Sequence, residues 1–249
     1  MTTEEMVVDV SQDWLLACSV QERFMQAPSL AHCRVDYAAS CQQMRALGGD
    51  CYEFSCQPDG RLAMLVGDAS GKGVAAALMM ASVQASLRMA AVFTGSDLAA
   101  LLRVVNAQAC ASTLAGRYVT LFYGLLDGDG HTLRFVNAGH TPPVVLRRDG
   151  SIEWLEPGGP PVGLFPDAHW QVREVRLGAG DRLVATTDGV TEAASPSGDE
   201  WGMAGLLQAA AERESEPAGD VVAAILDAMN DFSAGIQADD ATVAVLRIR

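Results

Sequence analysis

Two hydrophobic periods take turns along the chain. Residues 10–26 repeat at helical spacing: Trp14, Ala17, Cys18, Val20, Phe24 and Met25 fall on one broad arc, with Gln12, Ser19, Arg23 and Gln26 opposite, and Pro28 ends the element. The period then drops to two. HCRVDYAAS (32–40) reads as a strand, and CYEFSCQ (51–57) and RLAMLVG (61–67) flank Pro58-Asp59-Gly60, a hairpin signal. Helical spacing returns at about 73–92 and again at 97–111, where Ser96 and Asp97 supply a start signal. YVTLFYGLL (118–126) and TLRFVNAG (132–139) form a second hairpin across Asp127-Gly128-Asp129-Gly130, and PVVLRR with SIEWLE a third across Asp149-Gly150. The Gly/Pro-rich stretch 157–166 is too broken for a regular element. Strands near 170–177 and 182–187, helices near 203–213 and 218–232, and a last strand TVAVLRI (242–248) complete the order. No repeat, low-complexity linker or composition break divides the chain, so the pattern predicts one α+β domain with mostly antiparallel strands.

Composition narrows the classes. With 249 residues and 49% hydrophobic side chains, the chain can bury a substantial core. Its longest apolar run, around Val74 to Met80, is too short to span a bilayer, and MTTEEMVVDV carries acids where a signal peptide needs positive charge. Six cysteines lack both C-x₂-C pairing and regular spacing, which fits reduced thiols in the cytoplasm better than a zinc site or disulfide scaffold. A formal net charge of −14 makes nucleic acid a poor partner and is compatible with acids gathered around cations.

The chemistry begins at VGDASGKGVAAALMMASVQ (66–84), which has the pieces of a nucleotide-binding loop. Gly67 to Gly71 is one residue short of Walker A spacing, and Gly73 stands where the metal-holding hydroxyl belongs. The stretch is then either a helix-entry turn capped by Asp68 or Ser70, or a turn at which carboxylates converge. Hairpin register bears on this. If Gln57 pairs with Arg61, partners sum to 118 and Asp50 faces Asp68, an opposition of like charges that a cation would relieve. Asp188, after RLVATT, and Asp239 with Asp240, before the last strand, lie at further strand ends. Each alone is more readily a turn aspartate. Together they make an all-oxygen set suited to Mg²⁺ or Mn²⁺.

LGGDCYEF, VGDASGKGVAAALMMA, RYVTLFYGLLD, FVNAGHTPPVVL, TTDGVTEA and DDATVAVLRI stand in the order found in the SpoIIE-like branch of metal-dependent protein phosphatases, relatives of protein phosphatase 2C, which the chain resembles. The resemblance covers roughly residues 30–249. It implies a four-layer α–β–β–α sandwich of two antiparallel sheets flanked by helices, with a phosphatase domain over 29–249 and an N-terminal helical segment over 1–28 as a regulatory or dimerisation element. By position it assigns Asp50, Asp68, Asp188, Asp239 and the Ala69 carbonyl to two Mn²⁺ or Mg²⁺ ions, Asp240 being either a ligand or a neighbouring acceptor. The implied activity is hydrolysis of phosphoserine or phosphothreonine by metal-activated water, on an anti-sigma-factor antagonist (STAS) protein in bacterial signalling. His140 is either a proton donor to the departing oxygen or a hydrogen-bonded turn histidine, and Lys72 either guides substrate or is solvated. One departure is QMRAL (43–47), with Ala46 where relatives usually carry an acid. No cysteine has the C-x₅-R spacing of cysteine phosphatases. GGDCYEF is also similar to the GGDEF signature of diguanylate cyclases, but Cys51-Tyr52 interrupts it and Asp188 and Asp239 would have no role. The same motifs are compatible with a catalytically silent binding or regulatory module that keeps the fold, and with a phosphatase of small molecules.

Overall fold

A computed structural model describes residues 3–25, 27, 34–57, 59–213 and 216–249, the side chains of 3–11 excepted. After helix α1 (Thr3–Phe24) come β1 (Val35–Gln42), β2 (Cys51–Cys56) and β3 (Leu62–Ala69), then α2 (Val74–Thr94) and α3 (Leu98–Ser112). β4 (Val119–Leu126) is followed by β5 (Thr132–Ala138), β6 (Val144–Leu146) and β7 (Ile152–Trp154). The remainder is β8 (Arg173–Arg176), β9 (Arg182–Thr186), a one-turn α4 (Asp188–Thr191), α5 (Gly202–Ala211), α6 (Ala218–Phe232) and β10 (Ala241–Ile248). The expected elements are present, α4 is additional, and the strand expected near 170–177 shortens to β8. Pro58 and Pro28 lie outside the described residues.

The strands form two five-stranded antiparallel sheets, ordered β2-β3-β4-β5-β8 and β1-β10-β9-β6-β7. Period-two alternation explains how both faces of each are covered. In β3, Ala63 and Leu65 join α2 and α3, while Leu62, Met64 and Val66 face the second sheet. In β10, Val243 and Val245 meet α5 and α6, while Ala244 and Leu246 enter the space between the sheets. Tyr37 of β1 stacks on Phe54 of β2 with ring centroids 4.5 Å apart, joining sheet to sheet. The result is the four-layer α–β–β–α sandwich. Burying both strand faces removes the need for polar alternation, so these strands are nearly continuously apolar.

Among the described residues, α2 alone is long and apolar enough to cross a membrane. Its Ala76, Met80, Val83, Leu87 and Ala90 are buried in the core instead. α3 starts as its sequence predicts, Asp97 accepting from the Ala100 amide at 2.9 Å. α1 buries only part of its apolar arc. Ala17, Cys18, Phe24 and Met25 are half-buried, but Trp14 and Val20 remain exposed beside Leu15 and Leu16.

Candidate metal centre

The β2–β3 register is the one expected from the turn. Gln57 N donates to Arg61 O at 2.8 Å, and Cys51 pairs with Gly67, so partners sum to 118. One step further along this ladder sets Asp50 against Asp68. β9 ends at Thr186 and β10 begins at Ala241, so these neighbouring strands of the other sheet present Asp188, Asp239 and Asp240 at the same end. Antiparallel pairing thus gathers acids separated by up to 190 residues of chain.

Each acid has a different environment. Asp50 is only 2% exposed, and its Oδ2 accepts from the Thr187 and Thr242 hydroxyls, both at 2.7 Å. Burial raises its pKa well above the usual range, and the Asp68 charge adds to the rise, against those two hydrogen bonds. Asp68 is pushed up to about 7, first by burial and then by Asp188, Asp239 and Asp240, with Lys72 opposing. At Asp188, burial and then the Asp239 charge raise the pKa. Such mutual opposition is what a divalent cation relieves.

Asp240 resolves differently. Its Oδ1 accepts from the Met44 amide and its Oδ2 from the Gly49 amide, each at 2.8 Å. A Cβ on Gly48 would stand 2.3 Å from Asp240 Oδ2, so only glycine there leaves the carboxylate room to dock. Asp240 therefore fastens the loop that delivers Asp50. The side chain of Gln21 on α1 grips the same loop: Nε2 donates to Gly48 O at 2.7 Å and Oε1 accepts from Gly48 N at 3.2 Å.

Lys72 lies 2.6 Å from Asp239 Oδ2 and donates to Ala238 O at 2.8 Å. His140 is buried, with Nδ1 2.9 Å from Thr120 Oγ1, while Asn137 accepts from its amide and donates to its carbonyl. Burial drives its pKa down to about 4, so it is neutral at pH 7 and carries no imidazolium proton. That environment suits a hydrogen-bonded turn histidine.

Asp50, Asp68, Asp188, Asp239 and the Ala69 carbonyl stand at one end of the sandwich, and all are oxygen donors, the chemistry a hard divalent ion prefers. Among the described residues, no three of these carboxylates already converge as closely as ligands on one ion, and Asp239 is paired with Lys72 instead. Sequence reasoning misses Thr187 and Thr242. Their signal is a threonine within two residues of each strand-end aspartate, in TTDG and DDAT.

The family model for "Stage II sporulation protein E (SpoIIE)" matches residues 58–249. The chain belongs to the SpoIIE family. Asp68, Asp188 and Asp239 lie inside the match and Asp50 precedes it. The chain is 28% identical over 220 residues to Protein IcfG of Synechocystis sp., covering 76% of this chain and 34% of that protein. It is 25% identical over 191 residues to Phosphoserine phosphatase RsbU of Bacillus subtilis, covering 76% and 56%. It therefore spans a third to just over half the length of these relatives. Among solved structures, the SiaA-PP2C domain of Pseudomonas aeruginosa superimposes with TM-score 0.84 at 20% identity, covering 100% of both chains. The catalytic domain of the serine threonine protein phosphatase PstP, solved with 2 manganese ions, gives TM-score 0.63 at 19% identity, covering 86% of this chain and 98% of that one. The SpoIIE-family member described here thus has the fold of PP2C-type phosphatases.

Proposed function

We propose that this chain is a metal-dependent serine/threonine phosphoprotein phosphatase whose Asp50, Asp68, Asp188, Asp239 and Ala69 carbonyl hold two Mn²⁺ or Mg²⁺ ions. The observation that carries the reading is the Asp50–Asp68 pair that the β2–β3 register opposes at the sandwich end, where the Asp68 charge raises the cost of ionising Asp50 and Asp188, Asp239 and Asp240 raise that of Asp68. Metal bound there supplies an activated water and neutralises phosphate charge. The chain's own residues position and hold. Thr187 and Thr242 fix one Asp50 oxygen, Asp240 and Gln21 fix the loop that carries Asp50, and Lys72 stands at the rim with a charge suited to phosphate. Phosphoryl transfer asks mainly for positioning and electrostatics, so no protein nucleophile is needed.

Likeness to a phosphoserine phosphatase supports a phosphoserine or phosphothreonine substrate, which we take to be an anti-sigma-factor antagonist (STAS) protein in bacterial signalling. A cytoplasmic location agrees with free thiols at Cys18, Cys41, Cys51, Cys56 and Cys110. Segment 1–28 is read as a regulatory or dimerisation element beside the phosphatase domain, 29–249. Its support is the exposed Leu15, Leu16 and Val20 on the helix whose Gln21 touches the Asp50 loop. Hydrolysis of p-nitrophenyl phosphate and of a phosphoserine peptide, with Mn²⁺ and then with excess EDTA, tests the activity. Turnover that needs metal is expected, and full turnover by protein shown to be metal-free would overturn the mechanism.

A further inference from the structure

The turn after Asp68 carries a feature that metal binding does not use. Arg117, just before β4, reaches over Ser70-Gly71-Lys72, and its Nη1 donates to Ser70 O at 3.0 Å. The contact is built in. Ser70 N donates to Tyr118 O and Tyr118 N to Ser70 Oγ, both at 2.9 Å, tying the two segments together. Residue 71 has φ +96°, so the backbone favours glycine, and a Cβ there would lie 2.2 Å from Arg117 Nη1 and push the guanidinium from its place over the turn. Ser70 O uses one of the five N–H donors of Arg117, leaving others for a ligand.

A hollow of about 320 Å³ opens beside this guanidinium. Leu78 and Met79 of α2 and Leu114, past the end of α3, give it an apolar wall, with Lys72 and Arg117 at the end nearest Asp68. Leu78 and Leu114 are 68% and 75% exposed. Lys72 lies against Asp239 and is assigned above to the phosphate, which leaves Arg117 as the lining cation for a flanking carboxylate. Two cations lining one hollow are conspicuous in a chain of net charge −14.

We propose that this hollow is a docking subsite for the substrate segment next to the phosphorylated residue, selecting one with an acidic side chain followed by an apolar one. The inference rests on the phosphatase reading above. A guanidinium fork matches a carboxylate bidentately, and the leucine wall offers apolar contact next to it. Charge complementarity thus picks an acidic chain segment as the occupant.

The test uses the full chain and two fluorescein-labelled phosphoserine peptides that differ only in a flanking Glu or Lys. Values of kcat/KM with Mn²⁺ are divided by the same variant's value for p-nitrophenyl phosphate, and anisotropy reports affinity without turnover. The wild type is expected to prefer the Glu peptide by about tenfold, Arg117→Lys to keep part of that preference, and Arg117→Gln to lose most of it. Leu114→Glu, which changes a side chain and leaves the Leu114 carbonyl free to accept from Arg117 N at 3.0 Å, is expected to weaken the preference as well, which covers the case of an Arg117 variant that distorts the turn. Equal use of both peptides by the wild type would overturn the subsite, as would a preference that survives both Arg117→Gln and Leu114→Glu. Absence of p-nitrophenyl phosphate hydrolysis would count against the phosphatase reading instead, and anisotropy would still decide the subsite by the same comparison.

Discussion

The two ends of the central strands treat their acids in opposite ways. Where β9 begins, Asp181 is as buried as many core residues, yet its pKa is held below the usual range. Burial works against ionisation there, but the Gly178 amide, the Arg147 guanidinium 2.7 Å away and the Arg148 amide overcome it. Where β4 ends, Asp127 likewise has Arg134 at 3.1 Å. At the other end of the same strands, Asp50, Asp68 and Asp188 have raised pKa values and Lys72 as the nearby cation. One end is arranged for stability of the metal-free fold. The other carries repulsion that a cation would relieve, and that asymmetry marks the candidate site more clearly than acidity alone.

The sharpest way to break the comparison is to neutralise one acid at each end. Asp68→Asn or Asp188→Asn should lower kcat/KM by about a thousandfold or more while the metal-free protein unfolds at the same or a higher urea concentration, because a repelling charge is gone. Asp181→Ala should do the reverse. Loss of its hydrogen bonds and ion pair should cost about 2–4 kcal/mol in urea unfolding, with Mn²⁺ affinity retained. A stabilised Asp181→Ala, or an Asp68→Asn with wild-type turnover at limiting metal, would erase the distinction.

A pH series sharpens it further. Asp68 titrates near 7 when folded and near 3.8 when unfolded, so the native state binds the extra proton between those values. Stability of the metal-free protein should therefore fall as pH rises from about 4 to about 7, by on the order of a few kcal/mol, and then level off. Asp68→Asn should flatten that slope in thermal melts, and an unchanged slope would show that Asp68 is not its source.

The smallest expected effect concerns α1. Phe24 lies under the Arg88 guanidinium at 5.5 Å, and Trp14 is 40% exposed. Trp14→Ala with Phe24→Ala should shift self-association or activation, each side chain contributing up to about 1.5–3 kcal/mol in such a contact, while Mn²⁺ still binds. Sedimentation velocity alongside phosphatase assays reads this, and a folded double variant unchanged in both would end the coupling idea.

What can be read from the sequence follows the range of each interaction. The β2–β3 register is legible because a three-residue turn fixes it locally, and that register alone opposes Asp50 to Asp68. The pairing of β1 with β10 joins the two ends of the chain, and no local signal encodes it. The same limit hides the double hydrogen bond of Asp240 to Met44 and Gly49, which depends on a loop almost two hundred residues away. Arg117 opens the RYVTLFYGLLD motif, but a single arginine before a strand has no period that would place its guanidinium over Ser70. The apolar arc of α1 is visible, but periodicity reports only which face is apolar. It does not say whether this domain or a partner covers that face, and here Trp14 and Val20 stay exposed.

Calorimetric titration of metal-free protein with Mn²⁺ at neutral pH, repeated in buffers of different ionisation enthalpy, tests the metal centre most directly. Saturable binding that releases protons is expected, because acids with raised pKa values must ionise to become ligands, and that binding should be lost in Asp68→Asn. Absence of Mn²⁺ binding by the wild type, or binding of equal strength and equal proton release by Asp68→Asn, would contradict it.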